Sequence, residues 1–138
     1  THMKNRLNIQ SREDEETQDK LKKLRKTNAT LVHTHMKEII AFDLAMVDRS
    51  DFIICCIDPS VPTYGTTHEL VSANLAKKPI FVFVKGGIEK TPLWLMGLLS
   101  PKAFFNSLDD ILLKLEKINN GSIKISSKRW RFLKRRYL

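Results

Sequence analysis

The sequence predicts an α/β fold in three layers, a parallel sheet with helices on its faces. Three observations carry this. Asp51-Phe-Ile-Ile-Cys-Cys-Ile-Asp58 and Ile80-Phe-Val-Phe-Val84 are short, unbroken apolar runs rich in β-branched and aromatic residues, as strands buried on both faces require. Between them, Thr66 to Lys77 has helical character, and a strand, helix and strand over so short a span make a right-handed βαβ unit with parallel strands. Asp58 then opens a loop containing Pro59, Pro62 and Gly65. The first strand thus delivers a loop and a helix N-terminus to the carboxyl edge of the sheet, where open α/β folds bind ligands.

A chain of 138 residues forms one domain and buries a real core. Its 42% hydrophobic and 28% charged residues are those of a globular protein and exclude a disordered one. No apolar run approaches the roughly 20 residues that span a bilayer, and no signal-peptide pattern opens the chain, so no membrane partner is expected. The two cysteines, Cys55 and Cys56, are neighbours on a predicted strand and point to opposite faces, so they are poorly placed to pair. They read as small residues of a reduced, cytoplasmic protein. The net charge of +9 is uneven: seven bases and no acid lie between Lys124 and Leu138, which leaves +2 for the rest.

Residues 1–33 read as a polar helical lead-in, with Ser11 as N-cap, acids at 13–16 and bases at 20–26 suiting a helix dipole. Thr34 to Val47 reads as a largely apolar helix in which Asp43 lies one turn from Ile39 and from Val47. Gly86-Gly87 turns the chain after the second strand. Thr91 caps a short helix with Pro92 at its first position, carrying Leu93, Trp94, Leu95, Met96 and Leu98. Ala103-Phe-Phe105 is a third short strand, and Asn106 or Ser107 caps a helix from Leu108 to Ile118. Residues 122–138 form a basic C-terminal arm.

Three carboxylates compete for a chemical role. Glu69, placed in the first turn of its helix, is either an anion held by the helix N-terminus for use, or an ordinary first-turn glutamate in a capping box with Thr66. Asp43, on an apolar helix face, is either satisfied by a buried partner or used. Asp58 ends the first strand, as a ligand-binding acid or as the start of a turn with Pro59. His33 and His35 form a lone His-x-His with no further ligands nearby, so no metal is assigned, and no organic cofactor is implied. His68 either lines the site or faces solvent. Gly65 alone makes neither a dinucleotide fingerprint nor a P-loop. The arm interleaves bases with Trp130, Phe132 and Tyr137, which suits nucleic acid, although the apolar anchors Ile123, Ile125, Trp130 and Phe132 favour an arm packed on the core or on a neighbouring subunit.

Taken together, Phe42-Asp43-Leu44, Ser50-Asp51-Phe-Ile-Ile54, Asp58-Pro-Ser60, Tyr64-Gly-Thr-Thr-His-Glu69-Leu70 and Ala76-Lys-Lys-Pro79-Ile80 resemble the nucleoside 2-deoxyribosyltransferase superfamily, which includes the deoxynucleoside 5′-monophosphate N-glycosidases. The likeness covers residues 40–110. It implies a flavodoxin/Rossmann-like fold and a 2′-deoxynucleoside or deoxynucleotide substrate. Glu69 matches the nucleophile that attacks C1′ and Asp43 the acid near the leaving base, while Asp58, Ser60, Tyr64, Gly65, Thr66 and His68 fall in the substrate-binding stretch. The chemistry is coherent, because retaining N-glycosyl transfer needs an ionised carboxylate and a second acid. The apolar helix face would keep Asp43 protonated. In that family a neighbouring subunit completes the site, which implies a homodimer or larger assembly, with the Trp94/Leu95/Met96/Leu98 helix as a contact surface or as core.

Two departures accompany the likeness. The family opens with a strand and a loop that grips the nucleotide and supplies a tyrosine. No such strand precedes the polar helix here, so the chain is expected to be N-terminally truncated relative to the family, with Tyr64 as a substitute tyrosine. The family's transferase branch often carries an acid just before the loop glycine, where this chain has Pro62-Thr63-Tyr64, closer to the hydrolase branch. Alternatives from other classes are a catalytically impaired nucleotide-binding or regulatory module, and a nucleic-acid-binding domain that uses the basic arm.

Overall fold

The structure, a computed structural model, describes residues 15–123 and Arg129. The expected Ser11 cap and the arm other than Arg129 lie outside the described residues. The chain divides into two compact units, one ending at Met46 and the other beginning at Val47.

The first unit contains helix α1 (Glu15–Leu24) and most of helix α2 (Ala29–Arg49). On α1 the bases Lys22 and Lys23 occupy the last turn, where the helix dipole favours them, and Leu21 is buried. Helix α2 begins five residues before the expected Thr34. The reason is a cap: the Asn28 side-chain oxygen accepts the N–H of Leu31 at 3.2 Å, fixing the helix start ahead of a Thr/Val/His stretch of low intrinsic propensity. Along α2, Ile39 and Val47 are buried and Asp43, one turn from each, is half-buried. Ile40 and Met46 are exposed, so the apolar face is narrower than composition suggests.

The second unit is a mixed α/β body built on a three-stranded, wholly parallel sheet of order β1-β2-β3. Strand β1 (Ile53–Ile57) pairs with β2 (Ile80–Val84) from Ile53↔Ile80 to Ile57↔Val84, and β2 pairs with the two-residue β3 (Phe104–Phe105) through Val82↔Phe104 and Phe83↔Phe105. Helix α3 (Tyr64–Leu75) joins β1 to β2, the short α4 (Leu93–Leu98) lies between β2 and β3, and α5 (Leu108–Asn119) follows β3. Strand alternation sorts the core into two faces. Cys55, Ile57, Ile80, Val82, Val84 and Phe104 share one cluster with Leu70 and Ala73 of α3 and Leu95 and Leu99 at α4. On the other face Phe81 packs edge-on to Phe52 and beside Phe105, over whose ring the Lys114 ammonium of α5 sits at 5.4 Å. Helices therefore cover both faces, giving the three layers.

Local chemistry sets the element ends. Ser107 caps α5, its hydroxyl accepting the N–H of Asp110 at 3.2 Å. Thr91 does not cap α4. Its hydroxyl donates to the Ile88 carbonyl at 2.5 Å and closes the preceding 3-10 turn (Ile88–Lys90), so Pro92 becomes the cap and Leu93 the first helical residue. Helix α3 ends in a Schellman motif, with Lys78 N–H on Ala73 O and Lys77 N–H on Asn74 O, both at 3.0 Å. Lys77 stands at φ 56 where glycine is usual. Next to it the buried Lys78 ammonium donates to the carbonyls of Asp48 and Ser50, at 2.6 Å each, and so caps the C-terminus of α2.

Candidate functional site at the carboxyl edge of the sheet

The register of β1 on β2 places the next two residues, Asp58 and Lys85, side by side at the carboxyl edge, where the Lys85 N–H donates to Ile57 O at 2.8 Å. One Asp58 oxygen accepts from both the hydroxyl and the N–H of Ser60, at 2.6 and 3.0 Å, and the other lies 3.6 Å from the Lys85 ammonium. The Ser60 hydroxyl first, then its N–H and the charge of Lys85, hold the Asp58 carboxyl below its ordinary range. Asp58 is thus the start of a turn, one of the two roles the sequence left open. Lys85 was not singled out from the sequence. The available signal was a lysine directly following an apolar strand in register with an acid-terminated one. The Gly86 and Gly87 turn, at φ 89 and 107, carries the chain from Lys85 to Ile88, whose N–H donates to Asn106 at the end of β3.

Glu69 differs from its expected place. Helix α3 begins at Tyr64, not Thr66, and no acid lies in its first turn. Glu69 is in the second turn, so the capping box with Thr66 and the direct support of the helix N-terminus both lapse, and the helix starts at Thr63 without a side-chain cap. Tyr64 and Gly65 thus belong to the helix and not to the loop before it. The burial of Leu70 and Ala73 against β1 and β2 carries the helix through them.

Around α3, Thr66, Glu69, Leu70 and Ala73 lie toward the sheet, half-buried or buried, whereas Tyr64, Gly65 and His68 are exposed. Tyr64, 86% exposed, lies about 140° around the helix from Glu69, so it does not stand beside it as a substitute tyrosine. The carboxylate of Glu69 acts on the sheet: the Cys55 thiol is pushed up to about 12 by burial first, then by Cys56 and by Glu69. Asp43 is half-buried on α2, in the first unit. His33 and His35 lie two apart on α2, and among the described residues no three potential ligands gather around a metal position. No described helix is long and apolar enough to cross a membrane. No family model, curated protein or solved structure matches the chain.

Proposed function

We propose that the chain cleaves or transfers the N-glycosidic bond of 2′-deoxynucleosides or their 5′-monophosphates, with Glu69 as nucleophile. The observation that supports this most is the position of Glu69, on the helix that follows the acid-terminated strand, half-buried, with its charge felt by a buried strand thiol. Attack of the Glu69 carboxylate on C1′ forms a C–O bond as the C1′–N bond breaks. The base leaves with a proton supplied by a general acid. Water then cleaves the glycosyl ester and returns a proton to that acid, releasing the sugar and restoring Glu69, whereas a second base in place of water gives transfer. Asp58, Ser60 and Lys85 at the strand ends would meet sugar hydroxyls or phosphate, with Thr66 lining the inner face of α3 and the exposed Tyr64, Gly65 and His68 at its mouth.

In this reading the three strands are the part of a flavodoxin/Rossmann-like sheet that follows the family's front strand and loop, and the chain works in the cytoplasm as a homodimer or larger. Leu95 belongs to the core, so the exposed Leu93, Trp94 and Met96 are the apolar residues of α4 that remain for a subunit contact. Incubation with deoxynucleosides and their 5′-monophosphates, followed by chromatography for free base, tests the reading, and absence of base at any substrate counts against it. A second reading, a nucleotide-binding module without turnover, is favoured by the place of Glu69 away from the helix end. Heat of binding without base release would select it.

A further inference from the structure

Charge changes sign abruptly along α1, and the proposed chemistry makes no use of it. Glu15, Glu16 and Asp19 lie in the first half of the helix, whereas Lys20, Lys22, Lys23, Arg25 and Lys26 fill residues 20 to 26, through its last turn and into the turn toward α2. All five bases are exposed. Lys20 pairs with Glu16 across one turn at 3.4 Å, with both side chains mostly in water. The helix dipole favours bases in a last turn. Lys20 and Lys23, three apart, nevertheless stand as neighbours on the helix surface and repel, and Arg25 and Lys26 add charge beyond the helix end.

The corner that carries these bases is held in shape. The Asn28 N–H donates to Leu24 O at 2.8 Å, and the Asn28 side chain caps α2. Arg25 donates through Nε to Lys22 O at 3.0 Å, which draws its guanidinium to the end of α1. Thr27, Asn28 and Thr30 are exposed next along the chain. Lysine, arginine, threonine and asparagine are side chains that contact the phosphate oxygens of a nucleic-acid backbone. With about 1.5 Å of rise per helical residue, the five bases lie within roughly 10 Å, over which one strand of a duplex carries about three phosphates. An anionic bilayer is the poorer match. Surface helices that bind it set their bases against an apolar face left for lipid, whereas here Leu21 is buried and Leu24 half-buried, and Leu31 in the first turn of α2 is 38% exposed.

We propose that the corner between α1 and α2 binds the phosphate backbone of nucleic acid without reading its sequence. Lys22, Lys23, Arg25 and Lys26 neutralise phosphates, and the Thr27 hydroxyl and Asn28 amide donate to their oxygens. Binding displaces counterions from the nucleic acid and therefore weakens steeply with salt.

The full-length chain, titrated into a fluorescently labelled mixed-sequence duplex of about 20 base pairs over a series of salt concentrations, tests this. Binding is expected at low salt, falling steeply as salt rises. Lys22→Gln, Lys23→Gln and Lys26→Gln together are expected to weaken it by about tenfold or more. The same variant is expected to lower the slope of log affinity against log salt by about 3, with circular dichroism unchanged. Lys134→Gln, Arg135→Gln and Arg136→Gln, an equal loss of charge on the C-terminal arm, are expected to weaken it less. No binding by the original chain, an unmoved slope in the first variant, or an equal or greater loss in the second would overturn the proposal. So would tighter binding to vesicles of phosphatidylserine and phosphatidylcholine in equal parts than to the duplex.

Discussion

Cys55 and Glu69 are coupled through charge: burial pushes the Cys55 thiol up to about 12, and the charges of Cys56 and, least, of Glu69 add to it. Glu69 is half-buried on α3, which follows β1 in the chain.

Because the folded Cys55 keeps its proton where an unfolded thiol, near 9.0, has lost it, the folded state binds more protons between those values. Stability from this group is complete below pH 9 and falls as pH rises toward 12. The expected loss is about 1 kcal/mol per pH unit above 9, by urea unfolding, and Cys55→Ala flattens the slope. At pH 8 an alkylating reagent is expected to modify Cys56 in the native protein and leave Cys55 unmodified until unfolding.

Asp58 has the opposite sign. Its carboxyl lies below the ordinary range, chiefly through the Ser60 hydroxyl, so its contribution is present above about pH 4 and lost as pH falls through the folded value. Ser60→Ala is expected to move the Asp58 titration, followed by NMR, back toward that range. An unmoved titration would assign the shift to Lys85 instead.

Much of this architecture is legible in the sequence, and the exceptions have identifiable causes. Ile80–Val84 reads as the strand it is because five consecutive β-branched or aromatic residues leave no competing pattern. The start of α2 was missed although Asn28 is a good cap, because the threonines and histidines after it hid the signal. The start of α3 was missed because Tyr64-Gly-Thr-Thr has weak helix propensity and only packing of Leu70 and Ala73 extends the helix through it. That slip of two residues moved Glu69 from the helix end into its second turn. The Asp58–Lys85 pair depends on strand register, which a sequence does not print.

Lys77 occupies the left-handed position that ends α3, at a steric cost glycine does not bear. Lys77→Gly is expected to stabilise the protein by about 1 kcal/mol and raise Tm by roughly 2–5 °C, measured by thermal unfolding. A drop in Tm would show that the lysine side chain contributes more than its backbone costs.

Lys78 is the reverse case, a buried ammonium satisfied by the carbonyls of Asp48 and Ser50. Lys78→Met keeps the stem and leaves those carbonyls unmet, so a loss of about 1–3 kcal/mol is expected by urea unfolding. A smaller loss would mean that water replaces the ammonium there.

The central claim is that Glu69 is the nucleophile on a deoxyribosyl carbon, and Glu69→Gln tests it with almost no change of shape. The measurement is free base released from 2′-deoxynucleosides and their 5′-monophosphates by the original chain and by Glu69→Gln, with circular dichroism confirming that both fold. The account predicts base from the original and a loss of at least about 100-fold in the variant. Equal release by the two proteins, or release by neither, would contradict it.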